Sequence, residues 1–208
     1  MTKIKICGMR RKEDILYVNE YLPDYAGFIL SKGYRRTVEK ADFFRLREML
    51  SEHIKCVGVF VDEPVENILR FADSLDVIQL HGSEDAEYIE RLSERTDCAV
   101  WKAVRTSRRE DIETADAYPC SALLIDSCTE KYSGQTGSRV DLDIVKSAEI
   151  TKPFFMAGGI NAENAEEIIS AVSPYGIDLS GSVETDGFKD REKIREIIDK
   201  IRKKDING

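Results

Sequence analysis

The chain has 208 residues, of which 42% are hydrophobic and 34% are charged, with a formal net charge of −8 at pH 7. This length suits one large domain or two small ones, and since no composition break or linker divides the chain, we expect residues 1–208 to form a single domain. The negative charge argues against nucleic acid or an anionic membrane as a partner, and no apolar run approaches the ~20 residues that a membrane helix needs.

Short apolar runs alternate with helical patterns along the whole chain. The predicted strands are residues 4–7, 25–30, 56–61, 77–80, 99–103, 122–125, 154–157 and 177–179. The predicted helices are residues 11–21, 41–51, 64–74, 84–95, 109–115, 142–147, 162–172 and 191–203. Such alternation predicts an α/β fold with a parallel sheet, and eight βα units close naturally into a single (βα)8 TIM barrel. A doubly wound open sheet is the alternative, but polar and glycine-rich residues follow nearly every strand rather than one switch point.

The first predicted strand ends in a thiol. Ile4 and Ile6 alternate with Lys3 and Lys5, as in a half-buried strand, and Cys7 stands at the carboxyl end. In a parallel barrel this end is the catalytic face, so Cys7 could meet a substrate there. The alternative is that Cys7 is a small buried hydrophobic residue, as most free cysteines are.

Polar residues also follow later strands. Arg35 and Arg36 could bind a carboxylate or phosphate, although arginines are common on any surface. His81 could be a general acid or base, although a lone histidine is more often a packing residue. Asp126 ends an apolar strand, where a carboxylate is costly unless it is hydrogen-bonded or used. We expect a functional role for Asp126, with capping of nearby loop amides as the alternative.

The longest candidate loop is residues 129–139, which contain the sequence Ser-Gly-Gln-Thr-Gly. A flexible loop above a barrel mouth is often a lid. On composition alone, a connection without such a role is equally favoured.

The last two predicted units have small-residue turns after their strands. Gly158 and Gly159 follow the seventh strand, and Ser180 and Gly181 follow the eighth. Many barrels bind phosphate at these two positions through backbone N–H groups and a short helix amino terminus. Two such turns at both positions predict a phosphate site, with ordinary turn glycines as the alternative. A thiol and a carboxylate at the same mouth then indicate an isomerase or lyase acting on a phosphorylated sugar derivative.

The cysteines and histidines indicate where the protein works and whether it holds a metal. Five cysteines, with no Cys-x-x-Cys pair, are typical of reduced thiols in the cytoplasm. Only His53 and His81 are present, without ligand-like spacing, so we expect no metal. The amino terminus has no signal-peptide core, and the chain runs from Met1 to a polar end, which predicts a complete, monofunctional cytoplasmic protein.

Seven motifs in order along the chain carry a family resemblance. They are Lys-Ile-Cys-Gly-Met at 5–9, Gly-Phe-Ile at 27–29, Val-Gly-Val-Phe at 57–60, Val-Ile-Gln-Leu-His-Gly at 77–82, Ala-Gly-Gly-Ile at 157–160, Asp-Leu-Ser-Gly-Ser-Val-Glu at 178–184 and Gly-Phe-Lys-Asp at 187–190. The chain resembles the phosphoribosylanthranilate isomerase family of tryptophan biosynthesis from end to end.

The resemblance implies a cofactor-free barrel with a small-molecule substrate, N-(5-phosphoribosyl)anthranilate, in a monomer or homodimer. The product would be 1-(2-carboxyphenylamino)-1-deoxyribulose 5-phosphate, formed by an Amadori rearrangement. Asp126 would be the general acid that opens the furanose ring, and Cys7 the general base that removes the proton from C2. The substrate-binding residues that it implies are Arg36, Gly158, Gly159, Asp178, Ser180 and Gly181.

The chain departs from the family pattern at three places. Tyr34-Arg35-Arg36 replaces the usual Ser-Pro-Arg, so either arginine could hold the anthranilate carboxylate. The 129–139 loop differs from the usual Gly-Gly-Thr-Gly sequence, and Trp101 replaces a smaller apolar residue. Another sugar-phosphate isomerase or epimerase, and a non-catalytic phosphosugar-binding barrel, are the rival functions. Cys7 at the end of the first strand and the missing metal ligands argue against the first rival. The presence of Cys7, Asp126 and Arg36 argues against the second.

Overall fold

The computed structural model describes residues 1–106, 108–127 and 141–207. Eight parallel strands pair in chain order, and the last pairs with the first to close a barrel. The predicted α/β barrel is therefore confirmed. The strands are β1 Lys3–Cys7, β2 Tyr25–Ile29, β3 Lys55–Phe60, β4 Val77–Leu80, β5 Ala99–Thr106, β6 Ala122–Ser127, β7 Phe154–Met156 and β8 Gly176–Leu179.

The helices of the described part alternate with these strands. They are α1 Lys12–Tyr21, α2 Lys40–Met49, α3 Val65–Leu69, α4 Ala86–Ser93, α5 Arg109–Asp116, α6 Leu142–Ser147, α7 Ala165–Val172 and α8 Arg191–Asn207. Two short 3-10 helices, Ala72–Ser74 and Gly181–Val183, lie between them. A small hairpin of β9 Glu184–Thr185 and β10 Phe188–Lys189 precedes α8. No helix of the described residues has the length and apolarity needed to cross a membrane.

Most element boundaries differ from the predicted ones by one to three residues, and local hydrogen bonds explain one of the larger differences. The helix predicted to begin at residue 162 begins at Ala165, because the Asn161 side chain accepts from the N–H groups of Glu163 and Asn164 and holds a turn there. The helix predicted over residues 64–74 is instead α3 followed by a separate 3-10 turn.

The barrel interior and the helix-covered layer use alternate residues of each strand. Ile4 and Ile6 of β1 belong to the core between barrel and helices, whereas Cys7 belongs to the cluster inside the barrel. Lys5, on the same face as Cys7, is completely buried. The expectation of a half-buried β1 is therefore wrong, because Lys5 and Cys7, on the face opposite to the isoleucines, face a closed barrel interior rather than solvent.

Aromatic side chains fill the interior towards the amino ends of the strands. The rings of Tyr25 and Trp101 meet edge to face at 5.0 Å, and those of Trp101 and Phe155 stack at 4.5 Å. Tyr25 pairs in register with Lys5, two residues before the level of Cys7. Trp101 is thus a packing residue below the site, and it closes the barrel floor.

Candidate active site

The site residues predicted from the sequence lie around the mouth at the carboxyl ends of the strands: Cys7, Arg36, Asp126, Gly158, Gly159, Asp178, Ser180 and Gly181. The mouth also holds a cavity of about 600 Å³ beside β4 and β5, lined in part by Tyr34, His81, Lys102 and Arg105. The 129–139 loop and Cys128 lie outside the described residues. Among those that are described, no group of three or more His, Cys, Asp or Glu side chains could hold a metal ion.

Cys7 lies at the end of β1 with its side chain inside the barrel. It pairs in register with Gly27 of β2, and a Cβ built on Gly27 would lie 2.8 Å from the Cys7 sulfur. Glycine at this position therefore lets the thiol rest against the neighbouring backbone. Burial raises the pKa of the Cys7 thiol above its ordinary value, although the charges of Lys5 and Lys189 oppose that rise.

A buried ion pair lies below Cys7. The Lys5 ammonium is 2.9 Å from Oδ1 of Asp178, and the two side chains are 0% and 9% exposed. Burial lowers the pKa of Lys5, but the charges of Asp178 and Cys7 outweigh that effect and raise the pKa above its ordinary value. Asp178 thus lies at the site as predicted, and Lys5 holds its carboxylate. Lys5 was not among the predicted site residues. The feature of the sequence that could have indicated it is a lysine inside a strand that ends in a predicted site residue.

Asp126 lies at the carboxyl end of β6 and faces His81 across the mouth. Nε2 of His81 is 3.4 Å from Oδ2 of Asp126, and the two side chains are 17% and 26% exposed. Nδ1 of His81 is 2.9 Å from Nε2 of the buried Gln79. With the Gln79 amide donating to Nδ1, the proton of a neutral imidazole is on Nε2 and points at the Asp126 carboxylate. His81 is therefore a site residue rather than a packing residue.

Arg36 is anchored by a carboxylate from the far end of the chain. Its Nε and Nη2 donate to Oε1 and Oε2 of Glu184 at 2.7 and 2.8 Å. Arg35 donates to the same carboxylate at 2.9 Å but is 55% exposed, against 19% for Arg36. Arg36 also lies over Gly8 and close to Gly181. Of the two candidate arginines, Arg36 is the one that reaches into the mouth.

Glu184 joins these arginines to the loop after β8. Lys189 of β10 donates to Oε1 of Glu184 at 2.9 Å and to the carbonyl of Ser180 at 2.9 Å. Burial raises the pKa of Glu184, but hydrogen bonds from Arg36 and the charge of Lys189 outweigh this and lower it to about 2. Sequence analysis missed this network, because its members come from two loops about 150 residues apart.

The two predicted phosphate turns lie side by side, after the paired strands β7 and β8. Gly158 and Gly159 have φ of +81° and +67°, a conformation that favours glycine. The side chain of Asn164 spans this turn, accepting from the N–H of Asn161 and donating to the carbonyl of Gly159. The second turn begins the 3-10 helix Gly181–Val183. Both turns follow the carboxyl ends of adjacent strands, and backbone N–H groups at such turns can bind an anion.

A second buried ion pair organises the loops on the opposite side of the mouth. The Lys102 ammonium of β5 lies 2.9 Å from Glu84, whose carboxylate also accepts the N–H groups of Asp62 and Gly82. These hydrogen bonds connect the loops after β3 and β4 to β5 and hold the backbone next to His81. The sequence analysis did not predict this ion pair either. A lysine within an apolar strand is the feature that could have indicated it.

A family model described as N-(5'phosphoribosyl)anthranilate (PRA) isomerase matches residues 4–200. The N-(5'-phosphoribosyl)anthranilate isomerase of Thermoanaerobacter sp. (strain X514) is 43% identical over 204 residues, covering 97% of this chain and 98% of that protein. The crystal structure of phosphoribosyl anthranilate isomerase from Thermus thermophilus superposes with a TM-score of 0.86 at 32% identity, covering 97% of this chain and 99% of that one. A phosphoribosyl anthranilate isomerase complex with reduced 1-(o-carboxyphenylamino)-1-deoxyribulose 5-phosphate has a TM-score of 0.80 at 30% identity, covering 98% and 100%.

Proposed function

Because the chain belongs to the N-(5'-phosphoribosyl)anthranilate isomerase family and has that isomerase activity in tryptophan biosynthesis, we propose that Cys7 and Asp126 are its general base and general acid. The observation that carries this assignment is the position of the two side chains. One ends β1 and the other ends β6, and both face the interior at the same mouth. A base and an acid on separate strands can reach separate atoms of one bound sugar.

Asp126 protonates the furanose ring oxygen and opens the ring to a Schiff base. Its partial exposure lets the carboxyl group reach a substrate in the mouth. As the proton leaves, a negative charge develops on Asp126, and the N–H of His81 is directed at that carboxylate. A donor aimed at a developing charge stabilises the transition state.

Cys7 removes the proton from C2 of the Schiff base. The C–H bond breaks, an S–H bond forms, and the electron pair moves towards the imine nitrogen to give the enolamine. The enolamine then tautomerises to the ketone. Because the imine already acidifies C2, a modest base such as a thiolate suffices.

Arg36 binds the anthranilate carboxylate. Glu184 accepts from Nε and Nη2, so the remaining N–H groups of the guanidinium can turn to the substrate. The fixed orientation favours a planar carboxylate, which pairs with guanidinium in two parallel hydrogen bonds. Arg35, more exposed and pointing towards Gly187, supports the network from outside.

Backbone groups of Gly158, Gly159, Ser180 and Gly181 bind the phosphate, and Asp178 contacts the sugar. The positive φ values of the first turn and the 3-10 start of the second both support close approach of an anion to the backbone. Asp178 lies in β8, one level below Ser180 and beside Lys5. A hydroxyl of the sugar is the partner that this carboxylate suits best.

We further propose that residues 1–208 form one catalytic domain that works in the cytoplasm, without a cofactor and without nucleic acid or membrane as a partner. A small-molecule substrate is its partner. The Thermotoga maritima relative is described as dimeric and also as generated monomers, which supports a monomer or homodimer here.

Turnover of phosphoribosylanthranilate, followed by its fluorescence, tests the acid assignment. Asp126→Asn should reduce kcat by about 10²–10⁴-fold, while product binding stays within about tenfold, because general-acid help has that magnitude. Asp143→Asn is the matched control, since Asp143 is 91% exposed on α6. An Asp126→Asn variant that keeps more than half of the wild-type kcat would remove Asp126 from this role.

A further inference from the structure

Lys5 is a buried cation that the steps above do not use. It is 0% exposed, inside the barrel, and two residues before Cys7 on the same face of β1. Burying an ammonium group costs several kcal/mol unless it is paired and hydrogen-bonded. Asp178 supplies that pairing at 2.9 Å. A buried ion pair contributes little net stability compared with an apolar pair, so stability alone does not explain a lysine here.

The second partner of Lys5 is the proposed base. Lys5 and Cys7 are both buried inside the barrel, two residues apart on one face of β1, so the ammonium charge acts on the sulfur. An ammonium has three N–H donors, so it can bind the Asp178 carboxylate and the sulfur together. On the neighbouring strand the sulfur packs against Gly27, where an added Cβ would lie 2.8 Å from it.

We propose that Lys5 is a positioning residue for this reaction, whose ammonium, held in place by Asp178, stabilises the thiolate of Cys7 and fixes its sulfur at the mouth. The inference rests on the proposed role of Cys7 as general base. Lys5 keeps its own proton throughout. The proton from C2 goes to sulfur, and the Lys5 charge stabilises the thiolate before that transfer and again when the thiolate is restored.

The other cationic side chains near Cys7 are hydrogen-bonded to Glu184. Lys189 and Arg36 both have a charge interaction with the thiol, but each donates directly to Glu184. The charge of Lys5 lowers the pKa of the Cys7 thiol more than the charge of Lys189 does. The lowering by Lys5 also exceeds the rise in pKa that the negative charge of Asp178 causes. Removing Lys5 therefore removes the buried positive charge that lies beside Cys7 on its own strand.

The test is the pH dependence of Cys7 alkylation by iodoacetamide, which reacts with the thiolate, with the Cys7 peptide quantified by mass spectrometry. Lys5→Met should raise the alkylation midpoint by about 1 pH unit or more, the size expected for loss of an adjacent opposite charge. The profile of kcat/KM against pH should move by the same amount. At neutral pH the variant should lose about tenfold in kcat/KM, and it should recover activity as the pH rises.

Lys3→Met is the matched control. Lys3 lies on the same strand and forms the same kind of ion pair, with Asp24 at 2.7 Å, but at the far end of the barrel and 39% exposed. Its alkylation midpoint should equal that of wild type. The double variant Lys5→Met/Asp178→Asn removes both buried charges together, so that it keeps a folded barrel even where Lys5→Met alone does not. Its midpoint should also rise.

A folded Lys5→Met or double variant whose alkylation midpoint matches wild type overturns the inference, whatever its activity. An equal shift in Lys3→Met overturns it as well, since the effect would then not depend on contact with Cys7. The base assignment itself is judged separately by turnover of Cys7→Ser. If the alkylation midpoint shifts in the Lys5 variants but Cys7→Ser keeps full activity, Lys5 does stabilise the Cys7 thiolate, and Cys7 is not the general base.

Discussion

His81 and Asp126 meet across the mouth, with Nε2 of the imidazole 3.4 Å from Oδ2 of the carboxylate. Their strands are separated by β5, whose residue Arg105 pairs in register with Asp126. Gln79 holds the other ring nitrogen of His81 at 2.9 Å. The imidazole is therefore held by Gln79 on one side, and its N–H is directed at Asp126, the proposed general acid.

Replacing His81 should slow the reaction without weakening binding. His81→Ala removes a donor to the carboxylate that forms as the ring opens, so kcat should fall by about tenfold or more. KM should change by less than about threefold, because the contact is with the acid rather than with substrate. Steady-state kinetics on the purified variants measure both values.

His53→Ala is the control for loss of an imidazole, because His53 is exposed and precedes β3 at the opposite end of the barrel. Its kcat should be that of wild type. A His81→Ala variant with unchanged kcat would show that the contact with Asp126 has no part in catalysis.

Cys7 should be the cysteine whose modification abolishes activity, and substrate or a product analogue should protect it. Cys56 lies in the amino-terminal half of β3, where burial raises its pKa to about 12. Cys98 and Cys120 precede β5 and β6 at the same far end. Cys7→Ser should lose orders of magnitude in rate with little loss of stability, because a hydroxyl is far less acidic than a thiol.

The comparison of Cys7→Ser with Cys128→Ser decides between Cys7 and the cysteine that follows Asp126 by two residues in the sequence. Alkylation should inactivate wild type and Cys128→Ser alike. If only Cys128→Ser escapes inactivation, or if Cys7→Ser turns over normally, the base lies elsewhere.

The pH dependence of kcat/KM follows from the burial of the same thiol. Burial raises the pKa of Cys7, and the base must be deprotonated, so the active form accumulates as the pH rises. In wild type kcat/KM should therefore increase by up to about tenfold per pH unit through neutral pH and level off above the pKa of this thiol. A kcat/KM that falls steadily from pH 6 to pH 9 would contradict a thiolate base.

Glu184 should make the folded state sensitive to acid. Its pKa in the folded protein is lowered to about 2, since hydrogen bonds from Arg36 and the charge of Lys189 outweigh burial. That value lies below the ~4.3 of an unfolded chain, so the stabilisation is complete above pH ~4.3 and is lost as the pH falls towards 2. Glu184→Gln also leaves the buried Lys189 unpaired and should cost about 3 kcal/mol at pH 7.

Urea unfolding at pH 7 and pH 3 measures these differences. Glu66→Gln is the matched control. Glu66 pairs with Arg95 at the same distance of 2.9 Å, but its side chain is 68% exposed, and solvent-exposed ion pairs contribute little to stability. Equal destabilisation by the two substitutions would mean that burial of the Glu184 network does not matter.

The barrel was predictable because each strand and helix carries its own periodic pattern. Residues 77–80 and 142–147 were predicted with their observed bounds, from local apolar patterns alone. The ends of the strands also indicated Cys7 and Asp126 as candidate site residues, since a polar residue after an apolar run stands out in the sequence. The same logic failed for Lys5, because alternation shows that two faces differ but not that the second face lies inside a closed barrel.

Contacts between distant loops could not be predicted. Nothing local to Glu184 indicates that it binds Arg36, since that contact exists only once β8 returns beside β1. The contact of His81 with Asp126 likewise depends on the curvature of the barrel across β5. These relationships are set by closure of the sheet, which no single segment encodes.

The phosphate turns can be tested by filling the space that an anion would need. Gly181 has ordinary backbone angles, and a Cβ there would meet only the Arg36 guanidinium at 3.5 Å, so a side chain fits without straining the fold. Gly181→Leu should therefore fold, raise KM and weaken inhibition by inorganic phosphate by tenfold or more, because the side chain would cover the backbone N–H groups. Gly33→Leu is the control for a bulky residue in a mouth loop. A Cβ at Gly33 has nothing within 4 Å, and its φ of +87° makes substitution there costly for stability but not for phosphate. If Gly181→Leu binds phosphate as wild type does, or if Gly33→Leu weakens phosphate binding equally, the anion is bound somewhere other than the turn after β8.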